Sequence, residues 1–137
     1  MDILTPVQRS NCMRRIKSKN TKPELIVRSM CHRLGYRFRL GRIDLPGTPD
    51  LVFPRLKLCL FVHGCFWHRH EGCKYAYSPK TRVDFWEDKF ARNVIRDNKV
   101  MNALKDSGWN TGIVWECETK NAAIKKKKLI EMLQSRY

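Results

Sequence analysis

The sequence predicts an α/β protein in which helices flank a central sheet. Residues 50–53 and 56–62 are apolar runs separated by a Pro-Arg turn, which predicts an antiparallel hairpin. Residues 111–115 form another buried strand, and residues 36–40 a further short one. Because 137 residues suffice for one hydrophobic core but not for two, we expect residues 1–137 to form a single domain.

Capping signals predict where the helices begin and end. A Thr-Lys-Pro-Glu run from Thr21 starts a helix that ends at Gly35. Thr81 starts a long helix that ends at Gly108. The last helix is predicted at residues 121–134, with four apolar residues facing inward: Ile124, Leu129, Ile130 and Leu133.

The charge of the chain predicts a polyanionic partner. Lys and Arg outnumber Asp and Glu by 28 to 13, and the net charge of +15 is spread from Arg9 to Arg136. Nucleic acid fits this excess better than a membrane surface does. No run approaches the roughly 18 to 20 apolar residues of a membrane span, and Asp2 and Pro6 interrupt any signal-like start. We therefore expect a cytoplasmic protein with reduced cysteines.

The first 20 residues are expected to form a basic arm that contacts DNA. Thr5 precedes a proline at the first helical position, so a short helix is predicted to run to about Ile16. Arg14 and Arg15 give it charge, whereas apolar residues such as Met13 are few. Such a segment can become ordered only when it binds DNA.

A cluster of cysteines and histidines directly after residues 56–62 predicts a zinc site. Cys65, His70 and Cys73 supply three ligands, and Cys117, after the last strand, is the best remote fourth. Thiolate and imidazole are preferred Zn²⁺ ligands, and a structural site needs four of them. Alternatively, Cys65 and Cys73 are small core residues, as we expect Cys12, Cys31 and Cys59 to be.

A carboxylate and two imidazoles should meet beside the hairpin. Asp50 opens the first hairpin strand, while His63 and His68 follow the end of the second. Mg²⁺ takes oxygen ligands, and one carboxylate with phosphate oxygens and water is a usual set. Asp50 is therefore a candidate Mg²⁺ ligand, although a turn cap after Pro49 explains it equally well on local sequence alone.

Motifs along the whole chain resemble those of the very short patch repair (Vsr) DNA mismatch endonucleases. They keep the family's order and nearly its spacing: Asn11-Cys12-Met13-Arg14, Leu45-Pro46-Gly47-Thr48-Pro49-Asp50, Phe61-Val62-His63-Gly64-Cys65-Phe66-Trp67-His68, Thr81-Arg82, Phe85-Trp86, Asn93, Arg96-Asp97, Gly108-Trp109 and Ile113-Val114-Trp115-Glu116-Cys117. The resemblance implies a restriction-endonuclease-like fold, with a mixed central sheet flanked by helices and a zinc-stapled loop. It implies a bacterial enzyme that nicks duplex DNA 5′ to the thymine of a T:G mispair left by deamination of 5-methylcytosine. Catalytic Mg²⁺, structural Zn²⁺ and a monomer with repair proteins as further partners are also expected.

The resemblance assigns catalytic roles residue by residue. Asp50 matches the Mg²⁺-binding aspartate, and His68 matches the histidine proposed to activate water. His63 and Glu24 match residues that contact metal-bound water or the scissile phosphate, and Asp97 matches one placed to orient an imidazole. The second carboxylate of ordinary members of the fold is missing here, so the resemblance implies that a main-chain carbonyl near Val62 replaces it.

The resemblance assigns ligand and DNA contacts as well. The zinc ligands correspond to Cys65, His70, Cys73 and Cys117. The aromatics that wedge beside the mispair correspond to Phe66, Trp67 and Trp86, and the arm that enters the minor groove carries Met13 and Ile16. The segment from His70 to Cys73 is one residue longer than the family pattern. This leaves open whether His68 or His70 binds zinc.

Two other functional classes fit parts of the sequence. One is a nuclease of the same fold that acts in restriction or general repair without selecting a mispair. The other is a DNA-binding module that has the zinc-stapled loop and no catalytic activity. The aromatic side chains in the loop argue against the first class, and the convergence of Asp50, His63 and His68 argues against the second.

Overall fold

The computed structural model describes residues 21–134, which form a three-stranded mixed sheet flanked by helices. Strand β1 (Leu51–Phe53) pairs antiparallel with β2 (Leu58–His63), and β2 pairs parallel with β3 (Asn110–Trp115). The hairpin predicted from the sequence is therefore confirmed. The helices are α1 (Lys22–Arg33), α2 (Val83–Asp106), the single turn α3 (Glu116–Thr119) and α4 (Ala122–Gln134).

Alternating strand residues bury the two faces of the sheet against different helices. One core contains Leu51, Leu58 and Leu60 packed with residues of α1 and α4, among them Val27 and Leu129. The opposite core is smaller and lies against α2, with these buried members: Val52, Cys59, Phe61 and Leu104. The period of two along β1 and β2 gives each face its own set of side chains. The predicted packing roles of Cys31 and Cys59 are confirmed, since both thiols are fully buried.

Several predicted element boundaries are wrong. Residues 36–40 do not form a strand, because only Arg39 pairs with Val52 and the chain turns away at Gly41, where φ is +67°. The Pro-Arg turn is a short 3₁₀ helix, Pro54–Leu56, so β2 begins at Leu58 instead of residue 56.

The predicted helix caps and inward faces also need correction. Thr21 caps α1 as predicted, but α2 follows Arg82, which has a φ of +52° and no side-chain capping bond. On α4, Leu129 and Leu133 are buried, whereas Ile124 is 51% exposed. Helical spacing identifies the residues that share one face of a helix, and packing against the rest of the protein determines which of them are buried.

No helix within residues 21–134 is long and apolar enough to cross a membrane.

Gly47 sits where the loop leading to Asp50 packs on α2. Its φ is +73°, and a Cβ there would lie 2.4 Å from Cγ1 and 3.0 Å from Cγ2 of Val100. Valine is stiff about χ1 and cannot easily turn away. Two separate constraints, backbone conformation and close approach, therefore require glycine at this position.

We expect Gly47→Ala to destabilise the protein by roughly 2 to 5 kcal/mol, the sum of left-handed backbone strain and overpacking. Gly35→Ala is the matched control, because Gly35 has a φ of +88° and no atom near its missing Cβ, so only the backbone cost applies. Urea unfolding of both variants measures the difference. Equal losses of unfolding free energy would contradict the packing role of Gly47.

Candidate functional site

A cleft of about 710 Å³ opens where β1, β2, α1 and α2 converge. Four of the predicted catalytic residues line it: Asp50, His63, His68 and Asp97. Glu24, the fifth, reaches the same cleft from α1, so the structure brings all five together. Arg28 and Arg96 also line the cleft, and sequence reasoning did not single out either as a site residue. Basic side chains at such positions can receive a phosphate.

A short polar contact in the cleft joins His68 to Asp97. The His68 Nδ1 atom lies 2.7 Å from Asp97 Oδ2, and both side chains are partly exposed. When Nδ1 carries the proton and donates a hydrogen bond to the Asp97 carboxylate, Nε2 has a lone pair available. A histidine held in this tautomer by a carboxylate can accept a proton from water.

His63 lies flat against His68. Their ring centroids are 3.8 Å apart with an interplanar angle of 7°. Burial, followed by the nearby charge of His68, lowers the pKa of His63 to about 4, so its ring is neutral near pH 7. The His63 Nδ1 atom is buried and has no hydrogen-bond partner among the residues described.

The stacked rings affect whether His63, His68 and Asp97 form a metal site. One ligand atom from each of the three side chains lies within 4.8 Å of the others. However, a metal ion binds imidazole in the plane of the ring, and two parallel rings 3.8 Å apart cannot both offer that direction to one ion. The arrangement therefore suits proton transfer better than shared metal ligation.

Asp50 lies at the start of β1 with its carboxylate held against β2. Its Oδ2 accepts a hydrogen bond of 2.7 Å from the N–H of Val62. Burial is the main cause that raises the pKa of Asp50 to about 6, and the nearby charge of Glu24 adds to it, while the Val62 bond acts in the opposite direction. A bound cation would favour the ionised form, as expected of a carboxylate ligand.

Glu24 is a second buried carboxylate in the cleft. Only 4% of it is exposed, and its Oε2 accepts a hydrogen bond of 3.1 Å from Nη2 of Arg28, one helical turn later. Its backbone N–H is capped by the Thr21 hydroxyl at 3.4 Å. The helix predicted to begin at Thr21 thus places one acidic and one basic side chain, Glu24 and Arg28, in the cleft.

A cluster of three cysteines and one histidine joins the loop after β2 to the end of β3. Its members are Cys65, His70 and Cys73 of the loop and Cys117, which follows β3. Their ligand atoms all lie within 4.8 Å of one another, a spacing that could hold a metal ion such as zinc. The His70 Nδ1 atom is 3.4 Å from Cys117 Sγ and 3.6 Å from Cys65 Sγ. Since His68 faces Asp97 instead, the histidine in this cluster is His70.

The thiols of the cluster have unequal environments. Burial raises the pKa of Cys65 to about 12 and also raises that of Cys117. For Cys73, hydrogen bonds from the Tyr75 N–H and the neighbouring thiols outweigh burial and lower the pKa. Three thiols this close are readily ionised only when a cation compensates their charge, so the donor set fits a thiophilic ion.

The predicted wedge residues form an aromatic cluster, which we define as Phe66, Trp67, Tyr77, Phe85, Trp86 and Phe90. Phe66 is central, with edge-on contacts to Trp67 at 5.1 Å, Trp86 at 5.7 Å and Phe90 at 5.1 Å between ring centroids. Phe90 is buried, whereas Trp67 and Trp86 are partly exposed. The cluster thus has a buried base, Phe90, and an accessible edge formed by Trp67 and Trp86.

The predicted DNA-contacting residues Met13, Arg14, Arg15 and Ile16 lie outside the described residues, as does the predicted helix at residues 5–16.

Comparisons with known proteins identify first the class of this chain, a DNA mismatch or nicking endonuclease, and then its family. The family model described as DNA mismatch endonuclease Vsr matches residues 1–74. The protein is 48% identical over 132 residues to the type II nicking enzyme V.XorIIP of Xanthomonas oryzae, covering 96% of each chain. It is 39% identical over 116 residues to the DNA mismatch endonuclease Vsr of Escherichia coli, covering 85% of this chain and 74% of that one. The chain belongs to the Vsr family.

We expect Cys73→Ser or Cys117→Ser to lower bound metal from about one ion per chain to a small fraction of that value, because a four-ligand site loses one ligand. Unfolding should occur at lower temperature in both variants. Cys59→Ala is the control: it removes a buried thiol of the smaller core that is not one of the four clustered ligands, so it should lower stability and leave the metal content unchanged. Elemental analysis of protein purified without chelators checks this, and full metal content in the serine variants would contradict the assignment.

Proposed function

We propose that this protein nicks duplex DNA on the 5′ side of the thymine in a T:G mispair and so begins very short patch repair. The observation that carries the proposal is that one loop, residues 64–77, bears both His68 of the cleft and Phe66 and Trp67 of the aromatic cluster. Contact with a distorted base pair and attack on its phosphate can therefore occur side by side. A relative named DNA mismatch endonuclease Vsr supports the mispair as substrate.

In the proposed reaction, His68 acts as the general base. Asp97 holds the proton on Nδ1, so Nε2 accepts the proton of the attacking water. Neutral His63 packs on the His68 ring and fixes its plane without adding charge. The oxygen of the water attacks phosphorus, and the bond to the 3′ oxygen of the preceding nucleotide breaks.

Asp50 is proposed to bind Mg²⁺, with the main-chain carbonyl near Val62 in place of a second carboxylate. When bound, Mg²⁺ stabilises the charge that develops on the phosphate and leaving oxygens. Glu24 is close enough to raise the pKa of Asp50 and is proposed to hold water of the ion's shell. Arg28 and Arg96 line the same cleft and supply positive charge for the phosphate.

Mispair selection is assigned to the exposed edge of the aromatic cluster. A mispaired step costs less to unstack than a Watson–Crick step, so insertion of Trp67 and its neighbours is favoured where the stack is already weak. The arm at residues 1–20, with Met13, Arg14, Arg15 and Ile16, is proposed to contact DNA in the minor groove.

The remaining parts of the proposal concern architecture. We propose that residues 1–137 form one restriction-endonuclease-like domain, which the antiparallel β1–β2 hairpin with Asp50 at its start supports. Zn²⁺ is proposed as the ion of the Cys65, His70, Cys73 and Cys117 cluster, where it holds the loop to the end of β3.

A second candidate function is strand nicking without selection of a mispair. Its support is that two of the similar proteins, V.XorIIP and V.NmeAIP, are named type II nicking enzymes. Nicking of matched duplexes containing T:A or C:G as fast as a T:G duplex would favour this candidate over mismatch repair.

We expect Asp50→Asn and His68→Ala each to lower the single-turnover nicking rate on a T:G duplex by at least about 10²-fold, since one removes the metal ligand and the other the base. Duplex binding should persist, because the basic surface is unchanged. His32→Ala is the control, because His32 is an exposed histidine of α1 outside the cleft. Wild-type rates in either cleft variant would remove that residue from the mechanism.

The double variant Phe66→Ala, Trp67→Ala should lose mispair preference more than affinity. We expect the free-energy preference for T:G over T:A to shrink by about 1 to 3 kcal/mol, the scale of a stacking contact. The salt dependence of binding should hardly change, since it reports phosphate contacts. A lower melting temperature with an intact preference would instead assign both rings to packing.

A further inference from the structure

Three members of the aromatic cluster, Phe66, Trp67 and Tyr77, lie in residues 66–77, which contain no helix or strand. The Cys65, His70, Cys73 and Cys117 cluster restrains residue 65, just before this loop, and residues 70 and 73 within it, so residues 76–77 lie beyond the last restraint. Irregular backbone of this kind is usually mobile unless side chains hold its carbonyl groups. Rings of α2 contact the Phe66 side chain, but the main-chain carbonyls at the two ends of the loop need an interaction of their own.

Arg69 supplies that interaction. Its Nη1 donates hydrogen bonds to the carbonyl oxygens of Phe66 at 3.2 Å and Tyr77 at 3.1 Å, and its Nη2 donates to that of Ala76 at 2.9 Å. The three carbonyls come from both ends of the loop. One planar guanidinium thus closes residues 66–77 into a ring without using the metal ligands.

The same guanidinium also joins the loop to α2. Its Cζ lies 4.0 Å from the ring centroid of Phe90 and 5.7 Å from that of Phe66. A cation over an aromatic face adds attraction in partly buried positions, and the flat guanidinium can stack where an ammonium cannot. Arg69 therefore contacts the buried base of the aromatic cluster from one side while holding its loop from the other.

We infer that Arg69 is a positioning residue for mispair selection: it fixes Phe66 and Tyr77 so that the exposed edge of the cluster meets the base stack in one orientation. The inference rests on the proposed function and adds to it a specificity determinant that touches neither the scissile phosphate nor the metal ligands. The Arg69 donors serve three main-chain carbonyls, whereas Arg28 and Arg96 of the cleft donate to the side chains of Glu24 and Asn93.

Arg69→Gly gives a clean test, because Arg69 has a φ of +56° and glycine adopts that backbone without strain. We expect the ratio of T:G to T:A nicking rates to fall about tenfold, as when one stacking contact is lost, while metal content stays at the wild-type level. Millimolar guanidinium should restore the ratio, whereas urea at the same concentration and ionic strength should not. Arg92→Gly removes an equal charge from the exposed face of α2, where Arg92 pairs with Asp88, and should leave the ratio unchanged.

Three results would overturn the inference. In the first, the T:G to T:A rate ratio of Arg69→Gly stays within about twofold of wild type. In the second, the ratio falls but the variant also loses metal. In the third, guanidinium restores the ratio no better than urea does. Failure of the proposed function is seen separately, in the wild-type protein, as equal nicking of T:G and T:A duplexes. The two failures are therefore distinguishable in one set of assays.

Discussion

The parallel pairing of β2 with β3 is the constraint on which the rest of the structure depends. Its register runs from Leu58 opposite Asn110 to His63 opposite Trp115, so both strands end at the same edge of the sheet. The N–H of Cys117 therefore reaches Cys65 Sγ at 3.4 Å, and the Trp115 ring stacks on His70 at 4.2 Å. The register thus brings Cys117 to the loop that follows β2, and a cluster that could hold a metal ion joins distant parts of the sequence.

Helix α2 carries the second constraint, because one of its faces serves both halves of the site. Trp86 and Phe90 contact Phe66, and two turns later Asp97 contacts His68. Between them, Asn93 donates a hydrogen bond of 3.1 Å to the carbonyl oxygen of Trp67. A rigid helix with a rise of about 1.5 Å per residue thus sets the distance between the aromatic cluster and the His68–Asp97 pair.

The cleft concentrates charge that the fold only partly neutralises. Glu24 is buried and Asp50 is partly buried; the Asp50 carboxylate accepts a hydrogen bond from the Val62 N–H, and that of Glu24 accepts one from the Arg28 guanidinium. Burying two carboxylates so close together costs folding free energy. The Mg²⁺ site proposed here would account for that cost, because a bound cation would balance the charge of the carboxylates.

The sequence by itself determined much of this arrangement. Apolar runs gave the β1–β2 hairpin, capping signals gave the start of α1, and ligand chemistry identified Cys117 as the partner of the loop cysteines. These features depend on local periodicity or on a distinctive residue type. Local periodicity, however, did not reveal that residues 36–40 fail to form a strand or that Ile124 faces solvent.

Only the tertiary structure decided the contacts between distant segments. It assigned His70 to the thiol cluster and His68 to Asp97, and it gave Arg69 its three carbonyl partners. Adjacent histidines look alike in sequence, and an arginine that holds a loop looks like one that binds phosphate. The distinction arises from strand register and helix docking, which depend on packing over the whole chain and leave no short-range pattern in the sequence.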